Sequence, residues 1–191
     1  MSSNIVRWGG LAGVVAAVMW VLTAMLIILL ATPQRVSFNS FSDYLLQIVL
    51  LAAYAGTLVA ILGLHALHSG SGRYGRLGAA GSLLTFTGYA IVLVVIMTSI
   101  LEGGASLLTV RLAAGTTVLI GSILLGAMVI RAQIIPWWCG VLLIIAFPLG
   151  DVSNAVLEGS EGVLLGILWV LIGYALLSQS GTVAEQPSRV N

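Results

Sequence analysis

Residues 8–32 read WGGLAGVVAAVMWVLTAMLIILLAT, a stretch without a charged side chain. The hydrocarbon core of a bilayer is about 30 Å thick, so a helix of about 20 apolar residues crosses it. The stretch is also longer than the apolar core of a secretory signal peptide. It therefore predicts a transmembrane helix that the protein keeps.

The same criterion identifies five more spans. Together the predicted spans cover residues 8–32, 44–67, 77–101, 107–130, 134–150 and 162–177. The last two are short, and an interfacial or re-entrant hairpin is the alternative for them. We therefore predict an all-α fold, a polytopic membrane helix bundle with six transmembrane helices. A single transmembrane domain occupies residues 1–178, and residues 179–191 form a polar cytoplasmic tail.

The composition supports a membrane protein and excludes several other classes. Hydrophobic residues make up 60% of the chain and charged residues 7%, whereas soluble proteins carry about 25% charged residues. Seven basic and six acidic side chains leave too little basic surface for a nucleic acid. Cys139 is the single cysteine, which excludes an internal disulfide and multi-cysteine metal sites. Membrane lipids are the expected partners.

The arginines predict the orientation, because basic residues flanking membrane spans are kept in the cytoplasm. Arg35 and Arg111 fall on one side of a six-span arrangement. Five arginines fall on the other side, namely Arg7, Arg73, Arg76, Arg131 and Arg189. Both termini are therefore predicted to be cytoplasmic.

Three odd-numbered spans begin alike, with RWGGL at residues 7–11, RLGAA at 76–80 and PWWCG at 136–140. This similarity suggests three repeated helical hairpins. The alternative is that basic, aromatic and small residues are common wherever a helix enters a membrane.

Small residues recur four positions apart on five of the six spans. The sets are Gly9/Gly13, Ala52/Gly56/Ala60, Gly78/Ser82, Ser122/Gly126 and Gly162/Gly166. Such spacing lets two helices approach closely within a membrane. It predicts a compact bundle, and it is also typical of proteins that associate with other membrane subunits or with a second copy of themselves.

The second span carries a stripe of polar side chains. At 100° per residue, one arc of about 60° contains five of them: Asp43, Gln47, Tyr54, His65 and His68. The stripe is expected to face protein, either as an interhelical hydrogen-bonding network or as part of a polar pathway. Three side chains of neighbouring spans, Thr85, Tyr89 and Arg111, are further candidates for it.

Arg111 lies in line with Gly115, Ser122 and Gly126, so it is expected to face a packed and partly polar surface. It could pair with Glu102 or Asp43, reach the headgroups, or bind an anion. Four polar side chains gather in the segment 151–161 and are interpreted as a solvated acidic rim or as a weak site for a hard cation. They are Asp151, Asn154, Glu158 and Glu161.

His65 and His68 are three residues apart at the predicted cytoplasmic end of their span. Such a pair could bind a metal or haem as its cofactor. Contacts with headgroups or with the carboxyl end of the helix are the simpler interpretation, and no metal site is assigned.

Two stretches resemble sequence motifs that recur in small uncharacterised multi-pass bacterial inner-membrane proteins. They are RAQIIPWWCGVLL at residues 131–143 and RYGRLG at residues 73–78. The resemblance implies a helix bundle in a bacterial cytoplasmic membrane. It implies no catalytic or binding residues.

Three functions are compatible with this sequence. The packing motifs, and the lack of a G-x-S-x-G, H-E-x-x-H or P-loop motif, favour a non-enzymatic subunit, scaffold or accessory protein. The polar stripe is typical of a small transporter or channel for an ion or small solute. The histidines alone suggest a membrane redox or metal-binding protein.

The orientation can be tested with fusions of a reporter that is active only in the cytoplasm. We expect activity for fusions within residues 69–75 and none for fusions within residues 151–161. The opposite pattern would contradict the predicted orientation.

Overall fold

A computed structural model describes residues 3–30, 40–69, 75–102 and 108–184. Six helices occupy these ranges: α1 Ser3–Leu30, α2 Phe41–Ser69, α3 Gly75–Glu102, α4 Leu108–Ala132, α5 Trp137–Val156 and α6 Ser160–Ala184. All six are long and apolar enough to cross a membrane. The chain is therefore an all-α, multi-pass membrane protein, and the predicted fold class is confirmed.

The fifth and sixth helices are longer than the predicted spans. α5 continues past Pro148 to Val156, and α6 runs from Ser160 to Ala184. A helix need not end where the hydrocarbon ends, because its polar residues can stay helical among headgroups and water. As a result, most of the polar segment 151–161 is helical, and the first half of the predicted tail continues α6.

The turn between α5 and α6 is correspondingly short. Gly159 has a φ of +91°, a conformation that favours glycine because it has no side chain. Its N–H donates to the Asn154 Oδ1 at 2.6 Å, and the Ser160 hydroxyl donates to the Ser153 hydroxyl at 2.9 Å. Asn154 therefore stabilises the turn.

The helices pack in a ring that follows the order of the chain. Each helix contacts its sequence neighbours, and α1 also contacts α6, which closes the ring. Neighbours are antiparallel: Gly9, near the start of α1, meets Gly63, near the end of α2. We call the end of the bundle where α1 begins the proximal end and the end where α1 finishes the distal end.

Glycines bring α1 against both of its neighbours. A Cβ added at Gly9 would lie 2.5 Å from the Gly63 Cα, and one added at Gly13 would lie 3.1 Å from the Gly173 Cα. Lipid tails are as apolar as leucine, so helices in a membrane associate through such close contacts and through polar groups. The predicted compact packing is therefore present within this chain.

Equivalent glycines of the suggested repeat have different neighbours. Gly9 approaches Gly63 on the following helix, whereas Gly140 approaches Gly126 on the preceding helix. The repeat of three hairpins stays a prediction.

Two groups of buried apolar side chains form the interior. The larger draws on all six helices, and the smaller contains Val92, Ile96 and Ala114. Tyr54 packs against both groups, so it lies where they meet.

The glycine contact between α1 and α2 makes a testable prediction. Gly63→Ala places a methyl group against the Gly9 backbone, and we expect it to destabilise the fold by about 1–3 kcal/mol, the usual cost of overpacking. Gly115→Ala is the matched control, because no heavy atom of the described residues lies within 4 Å of a Cβ added there. Thermal unfolding in detergent measures both, and equal midpoints would contradict the prediction.

Candidate functional site

Ionisable side chains from five helices lie near one another in the distal half of the bundle. Glu161 interacts electrostatically with Asp151 and Arg111, Tyr54 interacts with all three, and Tyr89 interacts with Tyr54 and Glu161. We call these five side chains the distal polar cluster. They come from α2, α3, α4, α5 and α6, so the closed ring of helices is what brings them together.

Two glycines fix the position of Glu161 relative to α1 and α5. A Cβ added at Gly162 would lie 2.6 Å from the Trp20 carbonyl oxygen, so the start of α6 lies directly against α1. On the other side, a Cβ added at Gly150 would lie 2.9 Å from the Glu161 Cγ. The absence of a side chain at Gly150 therefore makes room for the half-buried glutamate between α5 and α6.

Aromatic rings line the same region. The centroids of Trp20 and Tyr54 are 4.9 Å apart in an edge-on arrangement with an interplanar angle of 71°. The Tyr54 and Tyr89 centroids are 5.6 Å apart. The Trp20–Tyr54 geometry places the positive edge of one ring against the negative face of the other, whereas the Tyr54 and Tyr89 rings are tilted by 54°. Three helices thus contribute one continuous aromatic group beside Glu161.

A buried hydrogen bond fixes the aromatic group to the bundle. The Trp20 Nε1–H donates to the Thr57 Oγ1 at 3.2 Å, and both side chains are buried. A buried indole N–H without a partner would cost free energy. The bond therefore sets the orientation of Trp20 relative to α2.

Arg111 and Asp151 are both exposed. The expectation that Arg111 faces a packed surface is wrong. Close packing of α4 against α3 is seen further along, where Gly88 meets Ala114 and Val118, and the described side chains at residues 109–112 are exposed. The side chain of Glu102, one of its expected partners, lies outside the described residues.

Thr85 and Gln47 do not belong to the distal polar cluster. The Thr85 hydroxyl donates to the Gly81 carbonyl of its own helix at 2.8 Å. Its backbone and hydroxyl also lie where Gly121 brings α4 against α3, so Thr85 is part of a packing contact. Gln47 is half-buried on α2, closer to the distal end than Tyr54.

Asp43 caps the start of α2. Its Oδ2 accepts hydrogen bonds from the Ser40 N–H at 2.9 Å and from the Ser40 hydroxyl at 2.8 Å. The Ser40 hydroxyl in turn accepts from the Asp43 N–H at 3.3 Å. This reciprocal arrangement is a capping box, which satisfies backbone donors that a helix start leaves open.

The two histidines lie near the proximal end, away from the distal polar cluster. His68 is fully buried, and its Nδ1 lies 2.9 Å from the Leu64 carbonyl oxygen. Because a carbonyl only accepts, Nδ1 carries the proton. Among the residues described, no group of three or more His, Cys, Asp or Glu side chains could hold a metal ion.

The sequence places Tyr54, Tyr89 and Arg111 in one possible polar network, and it places Asp151 and Glu161 in a separate acidic segment. The structure brings these five side chains near one another and adds Trp20, which the sequence does not single out. One signal was present: Gly162 and Gly166 form a packing face on the helix that Glu161 begins, so its first turn had to lie against another helix.

No known protein family, no curated protein and no solved structure matches this chain.

The capping box predicts a local effect of losing Asp43. Asp43→Ala removes the acceptor for Ser40, and we expect the start of α2 to lose about 0.5–2 kcal/mol of stability. Hydrogen exchange of the first-turn amides should accelerate accordingly. Ser42→Ala, which removes only a hydroxyl bonded to the Ser40 hydroxyl, is the control, and equal exchange in the two variants would refute the cap.

Proposed function

We propose that this protein transports a small ion or solute across a bacterial cytoplasmic membrane, with Glu161 in the transport site. The supporting observation is the distal polar cluster, in which Glu161 lies within electrostatic range of Arg111, Asp151 and two tyrosines. Ionisable side chains inside a membrane bundle are costly and commonly belong to substrate or proton pathways.

The position of Glu161 suits a group that binds and releases a ligand. It lies in the first turn of α6, where the partial positive charge of a helix start favours a carboxylate. Exposed Arg111 and Asp151 connect it with the distal surface, while Tyr89, which is 4% exposed, lies further inside. The carboxylate therefore stands between solvent and the interior, as a transport site requires.

The packing motifs support this function over that of an accessory subunit. Gly9 lies close to α2 and Gly13 lies close to α6, while Gly162 on α6 lies close to α1 of the same chain. Their small size is needed for the internal packing, so they give no separate reason to expect a partner.

A redox or haem protein is supported less well. Tyr54 and His65 are eleven positions apart on α2, which corresponds to about 16 Å along a helix. The histidines are thus remote from the distal polar cluster along α2.

The proposed membrane and orientation rest on the sequence. Arg7, Arg76 and Arg131 all lie at or near the proximal end of the helices. Because basic residues favour the cytoplasmic side, we place the proximal end and both termini in the cytoplasm. The distal polar cluster then opens towards the cell exterior.

Purified protein in sealed vesicles tests the proposed function. We follow protons with trapped pyranine, sodium with a trapped sodium-sensitive dye, and choline by uptake of labelled compound. We expect the wild type to pass at least one of these above empty vesicles. Glu161→Gln, which removes the charge and keeps the shape, should reduce that flux by about tenfold or more, since losing a desolvated charge interaction costs at least about 1.4 kcal/mol.

Glu158→Gln is the matched control. Glu158 lies three residues earlier, in the turn between α5 and α6, where it is exposed. The same chemical change there should leave the flux at its wild-type value. Flux no greater than in empty vesicles for all three probes, or equal flux through wild type and Glu161→Gln, would disprove the proposed function.

A further inference from the structure

We propose that the ligand of the distal polar cluster is a small organic cation, an amine or a quaternary ammonium group. This inference rests on the proposed function, because it names the class of solute for the same site. It is carried by the ring contacts of Trp20, Tyr54 and Tyr89 and by the packing of the start of α6, which holds Glu161, against the Trp20 backbone.

The aromatic rings provide the first part of the recognition. The face of an aromatic ring attracts a cation, most strongly for tryptophan, and sets of such rings recognise quaternary ammonium groups. Trp20, Tyr54 and Tyr89 come from three different helices, and their rings are in sequential contact. A methylated ammonium suits these surfaces better than a metal ion does, because its charge is spread over apolar methyl groups.

The charged groups provide the second part. With all three ionised, Glu161 and Asp151 contribute two negative charges and Arg111 one positive charge, so the distal polar cluster carries one net negative charge. A single positive charge on the ligand would neutralise it. An anion would bind Arg111 but would be repelled by both carboxylates, and a neutral solute would leave the charge uncompensated.

Arg111 adds a condition on the rest of the ligand. It is exposed at the distal end, whereas Trp20 and Tyr89 are buried. A cationic group would therefore sit deepest, and any polar or anionic part of the same molecule would lie towards Arg111. The trimethylammonium group could belong to a free solute or to a lipid headgroup, since both present the same chemistry.

Equilibrium binding in detergent tests the ligand class without requiring transport. We compare choline with 3,3-dimethylbutan-1-ol, its neutral counterpart of nearly the same shape, at constant ionic strength. The wild type should bind choline at least about tenfold more tightly, because only the cation gains from the rings and the carboxylate. A short-chain phosphatidylcholine below its micelle concentration forms the second arm, and tighter binding of that lipid than of choline would assign the site to a headgroup.

Variants separate the two parts of the recognition. Glu161→Gln should weaken choline binding by about tenfold, whereas Glu158→Gln should not change it. Tyr54→Leu should weaken it more than Tyr54→Phe does, because phenylalanine keeps the ring face. The affinities of Tyr54→Phe and Tyr54→Leu are compared only for protein that elutes as a single species. If Tyr54→Leu does not fold, the comparison of Glu161→Gln with Glu158→Gln still tests the proposal.

The outcomes distinguish the two proposals. Equal binding of choline and the neutral alcohol, or no binding of either, would overturn the cationic ligand. If protons or sodium still cross the membrane in a Glu161-dependent manner, the proposed transport function is upheld although the proposed cationic ligand is not. Selective choline binding without any flux would uphold the ligand class and overturn transport.

Discussion

The contact of α1 with α2 and α6 through glycine is the constraint on which the other features depend. In hydrocarbon no water is released when two apolar helices meet, so they stay together only where their backbones approach closely or polar groups pair. Gly9, Gly13 and Gly162 provide such approaches on both sides of α1. They close the ring of helices, and a closed ring has an interior.

The ring also determines which polar side chains meet. The Trp20–Thr57 hydrogen bond forms because α1 and α2 are close at that level, and it holds Trp20 against Tyr54. The approach of α6 to the Trp20 carbonyl then turns the start of α6, with Glu161, towards the same region. Packing through residues without side chains thus positions the residues of the distal polar cluster.

Polar groups along α2 serve three separate purposes, although they form one stripe in the sequence. Asp43 closes a helix cap, Tyr54 joins the aromatic group, and His68 bonds to its own helix near the proximal end. The periodicity of α2 alone places these polar residues on one face of the helix. What each member contacts depends on its depth and on which neighbour lies at that depth, so only the middle of the stripe contributes to the distal polar cluster.

The six helices and their membrane setting were determined by the sequence, because the need to satisfy every backbone group in hydrocarbon leaves little choice for long apolar stretches. The cap at Asp43 can also be predicted from the sequence, because a capping box joins residues only three positions apart. The meeting of Glu161 with Tyr54, Tyr89 and Arg111 could not, because helical periodicity fixes a face but not its partner. That choice was made by the tertiary structure, through the specific fit of glycines between α1, α5 and α6.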